Sequence, residues 1–271
     1  MRVGDIDITP LHDGTWRYPP FGMFNKTEEE WLPHRQFLDA DGLMQIELGA
    51  FLVQHGDRRI IVDAGLGTSD DPLFGRLPES LAAVGFTPAD ITDVVLTHLH
   101  FDHIGWASDG ERPTFPNATY RCDERDWRFF LGEDPFDESF TLDMFGGMSA
   151  TNRLSPVENR LETWASDTSI VPGLDVRAAP GHTPGSTIIV LSSGTERAML
   201  LGDVVHCPAE LVEDEWICIA DVDQAVAQRT REALARELEG TDIPIAGAHF
   251  PDMRFGRLLP GTGRRLWQVA S

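Results

Sequence analysis

Five histidines and two aspartates carry the chemistry this sequence can be read for. The segment Thr97-His98-Leu99-His100-Phe101-Asp102-His103-Ile104-Gly105 places three imidazoles and a carboxylate within a few positions. Buried without a cation, such groups would each need separate neutralisation or solvation, so their density reads as a metal site. Three more donors follow at turns: His182 in Pro180-Gly181-His182-Thr183-Pro184-Gly185, Asp203 in Leu201-Gly202-Asp203, and His249 in Gly247-Ala248-His249-Phe250-Pro251. Each is a weak signal alone. With the dense cluster they suit two adjacent cations. The donors are imidazoles and carboxylates with no thiolate, which makes zinc the expectation and admits manganese, cobalt or iron.

These side chains need elements that end beside one another. Short apolar runs alternate with turn signals and helical patterns, which argues for a mixed α/β fold. Ile46 to Gln54 and Arg59 to Asp63 read as strands around a His55-Gly56-Asp57 turn. Thr87-Pro88-Ala89-Asp90 has the hydroxyl, proline and carboxylate of a helix start, and leads into a short buried strand at Asp93–Thr97. Alternation at that strand's end points His98 and His100 to one side. Further strands are expected at 118–122, 174–179, 187–191, 198–201 and 243–246. Helices are expected at 224–238, capped by Asp221 or Asp223 and stopped by Gly240, and near 157–165. The stretch 15–41, with Trp16, Tyr18, Phe21, Phe24, Trp31 and Phe37, fits neither period. An aromatic segment of that kind covers a site, packs on the body of the domain, or meets a partner subunit.

Composition bounds the partners. The chain has 271 residues and a formal net charge of −22, from 22 Lys+Arg against 44 Asp+Glu. So negative a surface repels phosphate backbones and anionic membrane faces, which argues against nucleic acid and membrane partners. Cys122, Cys207 and Cys218 form no Cys-x-x-Cys pair, no apolar run approaches membrane-spanning length, and the first residues lack a secretory pattern, so a cytoplasmic protein is expected. No linker or repeat divides residues 1–271, which read as one domain with 15–41 as a covering segment. Two other motifs carry no function. Gly65-Leu66-Gly67 begins like a dinucleotide fingerprint, but Asp70 stands where the third glycine belongs. Cys207 reads as a small core residue, because an unreactive cysteine is usually buried.

The pattern His98-x-His100-x-Asp102-His103, then His182, Asp203 and His249, resembles the binuclear site of the metallo-β-lactamase superfamily. Ile61-Val62-Asp63-Ala64-Gly65 and the Pro-Gly-His-Thr-Pro-Gly turn match as well, and the ordered matches run from about residue 45 to 255. The resemblance implies an αβ/βα sandwich of two facing mixed sheets with helices on the outer faces. It assigns His98, His100 and His182 to one metal, Asp102, His103 and His249 to the other, Asp203 as the bridge, and Asp63 as a group that orients a ligand. Glyoxalase II-type members carry a longer region after the last histidine, flavodiiron relatives a glutamate where His100 stands, and nucleases an inserted domain and a basic face. Asp203 argues against the β-lactam-acting members. The nearest likeness is to the methyl parathion hydrolase-like and quorum-quenching lactonase branch. Lactone-degrading members often have tyrosine three residues after the bridging aspartate, where this chain has His206.

The resemblance implies a hydrolase in which a metal-bridging hydroxide attacks an ester, most often a lactone of the N-acyl homoserine type. Asp102 would pass a proton to the leaving group and His206 would hold the oxyanion or pack beneath the site. Phe21, Phe24 and Phe101 are candidates to line an acyl pocket, and the aromatic segment admits a homodimer. Phosphotriesters, thioesters and β-lactams are alternative substrates. A mononuclear iron persulfide dioxygenase and a metal-binding module without catalysis are alternatives of other classes, although a structural zinc normally has four closed ligands.

Overall fold

The computed structural model describes residues 1–139, 142–143 and 147–270. Among them, two sheets of seven strands face one another. The first holds, in order, β1 (Arg2–Val3), β2 (Ile6–Tyr18), β3 (Met44–His55), β4 (Arg58–Val62), β5 (Asp93–Val95), β6 (Thr119–Asp123) and β7 (Leu161–Trp164). Its strands are antiparallel through β4 and parallel from β4 to β7. The second runs β14 (Leu266–Val269), β13 (Gly256–Leu259), β12 (Ile245–Ala246), β11 (Glu196–Leu200), β10 (Thr187–Ser193), β9 (Leu174–Ala178), β8 (Thr168–Val171). There only β11 and β12 are parallel.

The inner strands β3, β4 and β10 are apolar on both faces, as sheets buried on both sides require. Phe51, Val53, Ile60 and Val62 point inward and meet Val176, Ile189, Leu191 and Leu200 between the sheets. Their alternates Ala50, Leu52 and Ile61 point outward, onto α2 (Leu77–Ala83), α4 (Glu124–Leu131) and α5 (Ala150–Leu154). On the far side Ile188 and Met199 pack against Leu211 of α6 (Ala209–Val212) and Leu234, Ala235 and Leu238 of α7 (Gln224–Leu238). The layers are αβ/βα, as the resemblance implied. Asp223, not Asp221, caps α7 by accepting from the backbone of Val226 at 2.9 Å.

Three expectations need correction. Residues 157–165 are not a helix. A 3-10 turn at Ser155–Arg160 gives way to β7, whose backbone pairs with the open edge of β6 in register Tyr120↔Leu161 to Asp123↔Trp164. Only Val157 and Trp164 of the expected helix are buried, so it had no apolar stripe to hold it against the body. The start at Thr87 makes a single 3-10 turn, Pro88–Asp90, closed by its Thr87/Asp90 capping box before β5 begins. The aperiodic stretch at 15–41 starts as strand: Thr15–Tyr18 finishes β2, whose alternation is broken by a bulge between His12 and Gly14. Beyond it come α1 (Pro20–Met23) and a 3-10 turn at Leu32–Phe37.

Candidate metal centre

The dense cluster follows β5 where the two sheets meet. The ladder stops at Val95, and Thr97 takes over: its carbonyl accepts from Thr187 of β10, while its N–H donates to Asp63 at 2.8 Å. Asp63 adopts the left-handed conformation, φ 63°, which costs a non-glycine residue energy and is typical of functional positions. Held there, its carboxylate also accepts from the Thr97 hydroxyl and from Nδ1 of His103 at 3.0 Å. The single turn α3 (Phe101–Ile104) carries Asp102 and His103, and the chain then passes so close to Leu66 that a Cβ on Gly105 would lie 1.9 Å from its carbonyl carbon.

His182, Asp203 and His249 reach the cluster from three loops of the second sheet. His100 Nδ1 lies 3.1 Å from His98 Nε2 and 2.8 Å from His182 Nε2. His249 Nε2 is 3.4 Å from His103 Nε2 and 3.6 Å from Asp102 Oδ2. Asp203 stands between the two sets: Oδ2 is 3.0 Å from His249, 3.5 Å from His182 and 3.8 Å from His98, and Oδ1 is 3.1 Å from His103. All seven sequence-selected residues are thus brought together.

The other ring nitrogens are tied down. Nδ1 of His103 donates to Asp63, Nδ1 of His249 to the Glu47 carbonyl at 2.7 Å, and Nδ1 of His182 to Asp221 at 3.2 Å. These partners only accept, so Nδ1 carries the proton and Nε2 turns its lone pair to the centre. Nitrogens facing each other at such distances repel unless something lies between them. A tetrahedral zinc with bonds of about 2.0–2.1 Å would set them about 3.3 Å apart. Asp203 Oδ1 is buried without a hydrogen-bond partner, although His103 stands beside it. The donor set fits divalent metal.

Electrostatics agree. Burial first, then neighbouring imidazoles, hold His98 and His100 well below their ordinary value, and burial lowers His182, so all three are neutral donors at pH 7. Burial would also lower His103, but Asp203, Asp63 and Asp102 outweigh it. Burial would raise Asp203, but His103, His249 and His98 hold it well below the carboxylate range. Without metal, protons on His103 and His249 answer the carboxylates; a cation answers the same demand.

His206 packs against this centre with Nε2 3.5 Å from Asp203 Oδ2, its ring stacked 5.9 Å from His249 and its Nδ1 without a hydrogen bond. Of the three phenylalanines considered for a pocket, Phe24 is buried among Trp31, Trp216 and His206, so it backs the site. Phe101 is half-buried against Trp16, and Phe21 is 59% exposed.

Several residues were missed. Asp221 bonds both His182 and Arg231, and Arg231 lies 3.0 Å from Glu210, whose carboxylate accepts from the backbone of His206 and Cys207. Arg231 was visible in principle, as a charge within the Ala227, Leu234, Leu238 stripe of α7. Asp126, Glu47 and Asp13 leave no such mark.

The comparisons with known proteins agree with this geometry. Residues 50–243 match the family model described as the metallo-beta-lactamase superfamily. The chain belongs to that superfamily. A human relative, metallo-beta-lactamase domain-containing protein 1, is 29% identical over 197 residues, 72% of this chain but only 59% of its own length. The structure resembles AidC, described as a dizinc quorum-quenching lactonase in complex with an N-acyl-L-homoserine product, with TM-score 0.86, 24% identity, and 100% and 96% of the two chains covered. It resembles the hydrolase AbOPH with TM-score 0.87 and 26% identity over the same shares. The chain thus combines the metallo-β-lactamase fold with a donor cluster that fits metal. No helix among the described residues is long and apolar enough to cross a membrane.

Proposed function

We propose that the chain hydrolyses a neutral carboxylic ester, foremost a lactone of the N-acyl homoserine type, with two divalent ions, zinc by preference. The observation that carries this is the convergence of seven donors, with Asp203 between two sets of three. His98, His100 and His182 would hold one ion, Asp102, His103 and His249 the other, and Asp203 would serve both. When bound, such a pair supplies a water ionised near neutral pH and draws charge from the carbonyl oxygen. Asp63 keeps His103 in its ligating tautomer. Asp102, whose Oδ2 lies 3.6 Å from His249 Nε2, takes up the proton that the attacking water gives up and hands it to the departing alkoxide. His206 donates to the developing oxyanion, over an apolar floor that includes Phe24. Phe101, together with the exposed Phe21, meets the acyl chain, and the 15–41 segment of this one domain covers the site. Phe21 equally offers a surface to a second copy of the chain. The three buried free thiols suit the reducing cytoplasm.

The test is metal analysis joined to turnover on lactones, aryl esters, phosphotriesters, thioesters and β-lactams. Two ions per chain and fastest turnover on a lactone are expected. A preference for phosphotriesters moves the reading to the parathion hydrolase-like alternative. One iron per chain with oxygen uptake on a persulfide overturns it.

Acid should remove metal and activity together. His98, His100 and His182 titrate below the 6.5 of a free histidine, so at these three positions the folded chain binds fewer protons than the unfolded one just below that pH. Their contribution to stability is present above 6.5 and fades as pH falls through that window. Protons also displace metal from all five imidazoles, so loss is expected at roughly pH 5–6. Bound metal measured after desalting across this range checks it; hydrolysis that persists without metal contradicts it.

A further inference from the structure

Asp126 is outside the seven-residue set and bonds to none of its members. It lies in the first turn of α4, fully buried, on a helix whose N-terminus is capped by Asp123 accepting from Arg125 N–H at 2.8 Å. Its carboxylate accepts from three donors: the backbone N–H of Leu99 at 3.2 Å, that of Gly185 at 2.5 Å and the Thr183 hydroxyl at 2.8 Å. Leu99 stands between His98 and His100. Thr183 and Gly185 belong to the turn that carries His182. One carboxylate therefore ties together the two loops from which all three imidazoles of one site project.

The fit is close. A Cβ on Gly185 would come within 2.7 Å of both the backbone nitrogen and Oδ1 of Asp126, so that position admits only glycine while Asp126 is seated. Burial pushes the Asp126 carboxyl up to about 7 even with Thr183 and Gly185 drawing it down, the mark of a group kept at a cost. Elsewhere the same device recurs without ligands. Asp13 accepts from the N–H groups of Leu66, Gly67 and Leu77 and from the indole of Trp106, three residues beyond His103, and not from the backbone beside His98, His100 or His182.

We infer that Asp126 is a positioning residue that sets the metal affinity of the His98, His100 and His182 site by fixing the spacing of its two loops. This rests on the binuclear reading above. Three donors must meet one ion to within about 0.2 Å, and slack between the loops is paid in affinity.

The test compares stepwise zinc affinities, by chelator competition, in wild type, Asp126→Asn and Asp13→Asn. The Asn amide keeps the shape but has one acceptor oxygen and sets an NH2 group against a donor, so at least one tie is lost. One of two zinc ions should weaken roughly 10- to 100-fold in Asp126→Asn, the other staying within about twofold. Combined with His182→Ala the effect should vanish, and combined with His249→Ala it should persist, because only the former shares its site. Equal weakening of both ions, or the same selective loss in Asp13→Asn, overturns the inference. Should Asp126→Asn not fold, Thr183→Val deletes only a hydroxyl donor and should give the same selectivity at smaller size; unchanged affinities in it overturn the inference too. A wild-type chain that binds less than one ion fails differently, and takes the metal reading down as well.

Discussion

Asp203→Ala should lower hydrolysis of the best ester substrate by about a thousandfold or more, since the acidified water of a metal pair is worth many orders of magnitude in hydroxide at pH 7. The expectation follows from where its two oxygens lie. Oδ2 faces His98, His182 and His249, and Oδ1 faces His103, so this one carboxylate spans both ligand sets. Removing it also strips the negative charge that offsets two cations. Metal content should fall from two ions to one or fewer. The fold should survive, because Asp203 sits in a loop turn at the sheet's end, outside the apolar core between the sheets. The decisive measurement is kcat/KM beside metal per chain. Full activity with two ions bound would remove Asp203 from the bridge and leave the function without its main support.

Why the site was legible and its supports were not is a matter of what each group leaves in the sequence. A metal ligand must be one of a few residue types, and seven of them at strand ends are conspicuous. Their supports obey a looser rule. Asp126 needs only an acceptor where three N–H and O–H donors happen to converge, and two of those are backbone N–H groups of Leu99 and Gly185 that almost any residue would supply, the third being one threonine hydroxyl, on Thr183, among many. Glu47 serves His249 through its backbone carbonyl, which any residue would supply. The same logic governs the elements. β3, β4, β10 and β11 were readable because both their faces are buried and continuously apolar. β7 and β14 are edge strands held by ladder bonds, with mixed side chains, and their period is faint. β2 was hidden by Pro10 and by the bulge at Asp13, where the extra residue turns a carboxylate inward to hold Leu66 and Leu77.

Arg231→Met should cost about 3–5 kcal/mol of stability, the range for breaking a buried ion pair by removing one partner. In chains of this size each kcal/mol lowers Tm by roughly 2–4 °C, so the change should be plain in thermal denaturation. Arg231 is 2% exposed on the inner stripe of α7 and reaches two carboxylates, Glu210 and Asp221, each at 3.0 Å, as well as the carbonyls of Val204 and Trp216. Met fills the space of the aliphatic stem but leaves both acids facing a low-dielectric interior. Asp221 is the more exposed to the loss: burial pushes its carboxyl up, and His182 and Arg231 together hold it at about 2. Without the guanidinium its pKa rises, its grip on Nδ1 of His182 loosens, and that ligand's tautomer is no longer fixed. Adding Glu210→Gln to Arg231→Met removes one of the stranded charges and should recover part of the loss, a coupling that two independent sites would not show. Arg231→Lys keeps the charge without the two-pronged reach and should fall between wild type and Met. If Arg231→Met melts within a degree of wild type, the buried pair is not what holds α7 to the loop carrying His206, and the tie from α7 through Asp221 to His182 loses its anchor.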